Sequence, residues 1–76
     1  MTPLDLATKV KATRLALKLR QAELAAAAGV GVRFIVELEA GKPTIQLGKT
    51  LAVLETLGLD CMITSRAPAK APPEFL

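Results

Sequence analysis

The chain has 76 residues, enough for one domain, with ten Lys and Arg against seven Asp and Glu for a net charge of +3. A domain this short buries only about 60% of the surface its unfolded chain exposes, so support from a second copy is expected. With no His and a single Cys, no Ser-His, Cys-His or paired-carboxylate arrangement can be assembled. An enzyme, a metal site and a bound cofactor are therefore not expected.

The N-terminal "MTPLDLATKV" lacks the charged-then-apolar pattern of a secretory signal. Leu6, Val10 and Leu17, with Ala7 and Leu15 beside them, recur at helical spacing and predict a first helix over residues 4–18. Thr2 suits its N-cap and Pro3 its first turn. Lys9 and Lys11 read as a solvated face. Arg14 and Lys18 are candidates for phosphate contact, and Arg14 has a second reading as an internal ion pair with Glu39.

A second helix is predicted over Gln21 to Ala28, with Leu24, Ala25 and Ala28 inward. Arg20 stands at its N-cap and has no acceptor to offer, an omission costing ~1 kcal/mol relative to Ser or Thr. Glu23 still suits the positive helix end. Gly29 then takes the left-handed position where a Cβ is penalised.

The third helix is expected from Val32 to about Ala40, stopped by Gly41 and Pro43, with Ile35 and Leu38 buried and Phe34 packing at the hinge. Thr44 is expected to cap a fourth helix with Leu47, Leu51, Leu54 and Leu57 as its buried stripe. Gly48 weakens that helix by up to ~1 kcal/mol, and Gly58 ends it.

At "LDCMIT" the period changes from helical to alternating, which predicts a strand over residues 59–64. One strand in a helical chain has no partner of its own. Its backbone edge is expected to pair with the same strand of a symmetry mate through Leu59, Cys61, Met62 and Ile63. Cys61 is read as packing, and a lone cysteine fits a reducing cytoplasm. No window approaches the roughly 18 apolar residues of a membrane span. Residues 1–66 thus form the domain, and 67–76, "PAKAPPEFL" with the preceding Ala67, a Pro- and Ala-rich tail. Two readings stand for that tail: disorder, or a linear motif in which Phe75 and Leu76 dock on a partner.

Two short helices joined through Gly29-Val30-Gly31, the second with buried Ile35 and Leu38, describe a helix-turn-helix. Such a pair lays its first helix across the phosphate backbone and its second in the major groove. Val32 and Val36 then face thymine methyls, and Arg33 is placed for a bidentate contact to guanine. Glu37 is placed to accept from cytosine or to orient the arginine, and Gln21 for a phosphate or base edge. The best phosphate candidates are Arg20, Lys42 and Lys49, with Arg14 and Lys18 behind them.

"QAELAAAAGVGVRFIVELEAGKPT" resembles the helix-turn-helix of the Cro/C1-type (XRE) regulators, matching at Gln21, Leu24, Ala25, Gly29, Val30, Ile35, Leu38, Glu39 and Gly41. The resemblance covers about residues 4–58. "GKPT", "LAVLETLGLD" and the terminal strand are similar to the HipB-like and Y4mF-like antitoxins of that family, extending it to about residue 66. Two departures stand out: Arg20 replaces a usual Thr or Ser, and Gly31 a usual polar residue.

The resemblance implies an all-α, lambda-repressor-like bundle of about four helices, with the terminal strand paired across a homodimer. It further implies a repressor of an inverted-repeat operator and a toxin partner, often a HipA-like kinase. Two other readings share these residues: a stand-alone or phage-type regulator without a toxin, and a helix-turn-helix used for protein interaction with weak DNA affinity.

Overall fold

Thr2 begins the first helix as its sequence demands. In the computed structural model, which describes residues 1–63, the Asp5 N–H donates to Thr2 Oγ1 at 3.1 Å, while the Thr2 N–H donates to Asp5 Oδ2 at 3.0 Å. This reciprocal box satisfies two N–H groups that a helix start leaves free. It opens α1 (Pro3–Ala16), which turns Ala7, Val10 and Arg14 inward.

The helix stops two residues short of the expected end. Lys18 adopts a left-handed backbone with φ 58°, which costs a residue with a Cβ about 1 kcal/mol and which no glycine announces. Leu17 consequently lies exposed rather than in the core.

Helix α2 (Gln21–Ala28) buries Leu24 and Ala25, and α3 (Val32–Glu39) buries Ile35 and Leu38. Gly29 between them has φ 72°, the left-handed turn that lets α3 fold back against α2. Full burial of Leu24, Ile35 and Leu38 is worth ~1.5–3 kcal/mol apiece. α1 packs on α3, and α2 lies against both α3 and α4 (Leu47–Thr56).

The start of α4 departs from expectation. Gln46, not Thr44, occupies its N-cap, and Thr44 stays exposed in the loop. The predicted leucine stripe is half right. Leu54 and Leu57 join the core, but Leu47 and Leu51 are 71% and 43% exposed, with Thr50 and Val53 buried in their place. Thr50 can occupy a core position because its hydroxyl donates to the Gln46 carbonyl at 2.9 Å, removing the cost of burying it unpaired.

After Gly58 the chain leaves the helix and Leu59 packs against the core. No strand forms among the described residues: residues 59–63 carry no ladder within the single chain, and Met62 and Ile63 are 80% and 95% exposed. The strand's last residue, Thr64, and the tail with Phe75 and Leu76 lie outside the described residues. Among those described, no helix is long and apolar enough to cross a membrane.

Candidate nucleic-acid interface

Helix α3 has a buried side and an exposed one. Ile35 and Leu38 point into the core, whereas Val32 and Val36 are 48% and 46% exposed and stand one turn apart, with Arg33 exposed beside them. Four of the predicted base-reading residues, Val32, Arg33, Val36 and Glu37, therefore share the outward side of one helix, as the 3.6-residue period requires.

A surface groove runs between α3 and the start of α4, lined by Arg33, Phe34, Glu37, Lys42, Gln46 and Lys49 among others. It gathers three of the predicted DNA-contacting cations around one carboxylate. Within it, Lys42 Nζ donates to Glu37 Oε2 at 2.9 Å. That hydrogen bond is the main reason the Glu37 carboxyl sits below its ordinary range, with the charges of Lys42 and Arg33 adding to it. Lys49 Nζ stands 5.9 Å from the centroid of the Phe34 ring, a cation–π distance. Phe34 itself packs against the core, as expected from its place at the hinge.

Arg14 corrects one of the expectations. Its side chain is 8% exposed and that of Glu39 3%, and Nη1 donates to the Leu19 carbonyl at 2.7 Å. A guanidinium used this way inside the domain is unavailable to a phosphate, so the internal ion pair is the reading that holds. The hydrogen bond to Glu39 raises the Arg14 pKa above its ordinary value.

Glu39 also accepts from Gln21 Nε2 at 3.2 Å. Gln21 is thus positioned at the head of α2 by the same buried carboxylate, a link between the two helices that sequence reasoning missed.

Lys18 and Arg20 stand exposed in the α1–α2 connection and do not line the groove. Arg20 caps nothing with its side chain. Instead Glu23 Oε1 accepts the Arg20 backbone N–H at 2.8 Å and Nε at 3.3 Å. The backbone hydrogen bond is the larger cause of the lowered Glu23 pKa. Gln46 and Thr44, which line the groove, were not anticipated. The clue available was the position of both next to an uncapped α4 start, which becomes visible only once the helix boundary is known.

These residues offer hydrogen-bond donors, two exposed methyl-bearing side chains and positive charge on a convex helix, the chemistry that reads a base edge. The chain is 56% identical over 69 residues to y4mF, an uncharacterised HTH-type transcriptional regulator of Sinorhizobium fredii, covering 91% of this chain and 88% of that one. Its fold matches the chain in a HipA-HipB-O2-O3 complex with a TM-score of 0.80 at 24% identity, covering 88% of this chain and 94% of that one. It also matches the chain in a HipB-O4 20mer complex at a TM-score of 0.79, again with 24% identity and the same coverage. The helix-turn-helix family model matches residues 10–61, and the chain belongs to this helix-turn-helix family of transcriptional regulators, of the Cro/C1 (XRE) type.

Proposed function

We propose that this protein is a sequence-specific repressor that binds an inverted-repeat operator as a homodimer and serves as the antitoxin of a toxin–antitoxin operon. The observation that carries the DNA-reading role is the outward surface of α3, where Val32, Arg33 and Val36 stand exposed together. In the major groove the valines meet thymine methyls and Arg33 forks onto guanine O6 and N7. Glu37 accepts from a cytosine amino group or orients Arg33, and Gln21 meets a neighbouring phosphate or base edge. Arg20, Lys18, Lys42 and Lys49 supply charge toward the backbone.

A second copy is favoured by an apolar surface at the open side of the core. Met1 and Leu6 line two adjoining depressions, one shared with Ile45 and Leu47, the other with Leu54, Leu59 and Cys61. The surface therefore runs from the first turn of α4 to the segment expected to pair as a strand. Two recognition helices brought together this way would read half-sites about one helical turn apart.

The antitoxin role is supported by likeness to HipB, which is seen with HipA and with O2-O3 in one of the matching structures. By that likeness the partner is a HipA-like kinase, and Phe75 and Leu76 of the tail are the residues proposed to dock on it.

The deciding experiment is selection of bound duplexes from a random library at near-physiological salt. Enrichment of an inverted repeat is the expected result. Binding with no enriched sequence would reduce the interface to phosphate contacts, and no binding at all would leave a protein-interaction module. The toxin is tested separately, by whether truncation after Ala67 weakens its capture while leaving operator affinity intact.

A further inference from the structure

We infer that Glu37 is a discriminator against non-operator DNA, held in the reading surface by Lys42; this rests on the DNA-binding role proposed above. The geometry begins at the end of α3. Gly41 takes a left-handed backbone with φ 80°, and the Lys42 N–H then donates back to the Glu37 carbonyl at 3.1 Å. This turn brings residue 42 back against Glu37, in the last turn of α3. The same two residues are joined a second time through their side chains, Nζ to Oε2, at 2.9 Å.

The turn is also held from behind. A Cβ added to Gly41 would lie 3.3 Å from Leu4 Cδ1 and 3.4 Å from Leu4 Cα, so α1 abuts it directly. Lys42 is thereby kept beside Glu37 rather than left to range over the surface.

Glu37 is the single carboxylate among the residues that line a groove otherwise carrying Arg33, Lys42 and Lys49. Toward phosphates a carboxylate is repelled. Toward bases it is satisfied only by an amino group, cytosine N4 or adenine N6. Against guanine O6 or thymine O4 it would be desolvated opposite another acceptor, and binding there loses affinity. Rejection of wrong partners by an unpaired charge is a general source of specificity. Lys42 makes the device tolerable by offsetting the charge while leaving the second carboxylate oxygen free for the base.

The test measures affinity for the selected operator duplex and for a scrambled duplex of equal composition, at one salt concentration. Wild type is compared with Glu37→Gln, Glu37→Asp, Lys42→Ala and the Glu37→Gln/Lys42→Ala double variant. Glu37→Gln is expected to tighten the scrambled duplex without tightening the operator, so that the operator-to-scrambled ratio falls about tenfold, within the range of a single base-pair mismatch. Lys42→Ala should weaken binding more in wild type than beside Glu37→Gln, the signature of coupling between the two. Glu37→Asp keeps the charge and should not tighten the scrambled duplex.

An unchanged ratio in Glu37→Gln, or equal weakening on both duplexes, overturns the inference while leaving the repressor reading intact. Wild type that binds neither duplex overturns the repressor reading, and this one with it. Thermal unfolding of each variant separates these outcomes from loss of fold.

Discussion

Arg14 and Glu39, 25 residues apart in the chain, meet in a two-pronged ion pair, with Nε 2.6 Å from Oε2 and Nη2 3.0 Å from Oε1. The pair ties α1 to the last residue of α3, and through the Leu19 carbonyl and the Gln21 amide it reaches the loop and first turn of α2. Arg14→Met should therefore unfold the domain more easily by about 3–5 kcal/mol, because Glu39 is left as an uncompensated buried charge. Urea unfolding measures it. Arg14→Met/Glu39→Leu should recover a good part of the loss, and Arg14→Lys little, since an ammonium cannot fork. A loss below ~1 kcal/mol, the range of exposed pairs, would mean that the pair behaves as a solvated one.

Arg33 and Lys49 should fail in different ways when removed. Arg33→Ala is expected to cost roughly 1–3 kcal/mol at one base position of each half-site and to relax selection there. Lys49→Ala is expected to weaken all duplexes nearly equally and to reduce the slope of log affinity against log salt by about one. Titrations on an operator and a single-base-substituted series, at several salt concentrations, distinguish the two. An equal loss on every sequence for Arg33→Ala would make it a phosphate contact.

Acid should loosen α2 through Glu23. Its carboxyl, ordinarily near 4.5, is lowered by the Arg20 N–H and side chain. The folded state therefore binds the proton less readily than the unfolded one, and the stabilisation is fully present above the ordinary value. It is lost as pH falls through the lowered folded value. Glu23→Gln should be less stable than wild type at pH 7, with the gap closing as pH falls below the ordinary 4.5 and on through the lowered folded value. Urea midpoints measured across that range check the sign. A gap that widens in acid would contradict the assignment.

Leu47, exposed beside Met1, Leu6 and Ile45, is the place to test the second copy. Leu47→Glu should leave monomer stability nearly unchanged, because the side chain has little to lose in the single chain. It should weaken self-association roughly thirtyfold or more, the ~2 kcal/mol of an interface hot spot. Sedimentation equilibrium reads both species. Association unaffected by this substitution would place the interface elsewhere.

The first helix and the helix-turn-helix were legible because their signals are local: a capping Thr2 for the one, and turn glycines with Ile35 and Leu38 at helical spacing for the other. The outward side of α3 was legible for the same reason, since the helical period alone sets Arg33 and Val36 well away from Leu38 and puts Val32 one turn from Val36. What sequence could not fix was which of two apolar stripes α4 buries. Leu47 and Leu51 look more suited to a core than Thr50, yet the backbone carbonyl of Gln46 absorbs the threonine's hydroxyl and the leucines remain outside. The end of α1 was equally hidden, because Lys18 takes a glycine's conformation. Arg14 shows the limit for charges: its position on a basic helix suits phosphate, and only the arrival of Glu39 from the third helix decides otherwise.

An eight-residue helix is too short to persist alone in water, and α3 owes its shape to Ile35, Leu38 and the anchored Glu39. Val32, Arg33 and Val36, on its exposed side, lie outside that set. Holding the helix and the proposed reading of DNA thus fall to different letters of one short word. On the proposed interface, varying these three positions in a combinatorial library should change operator preference while most members still fold to the same scaffold.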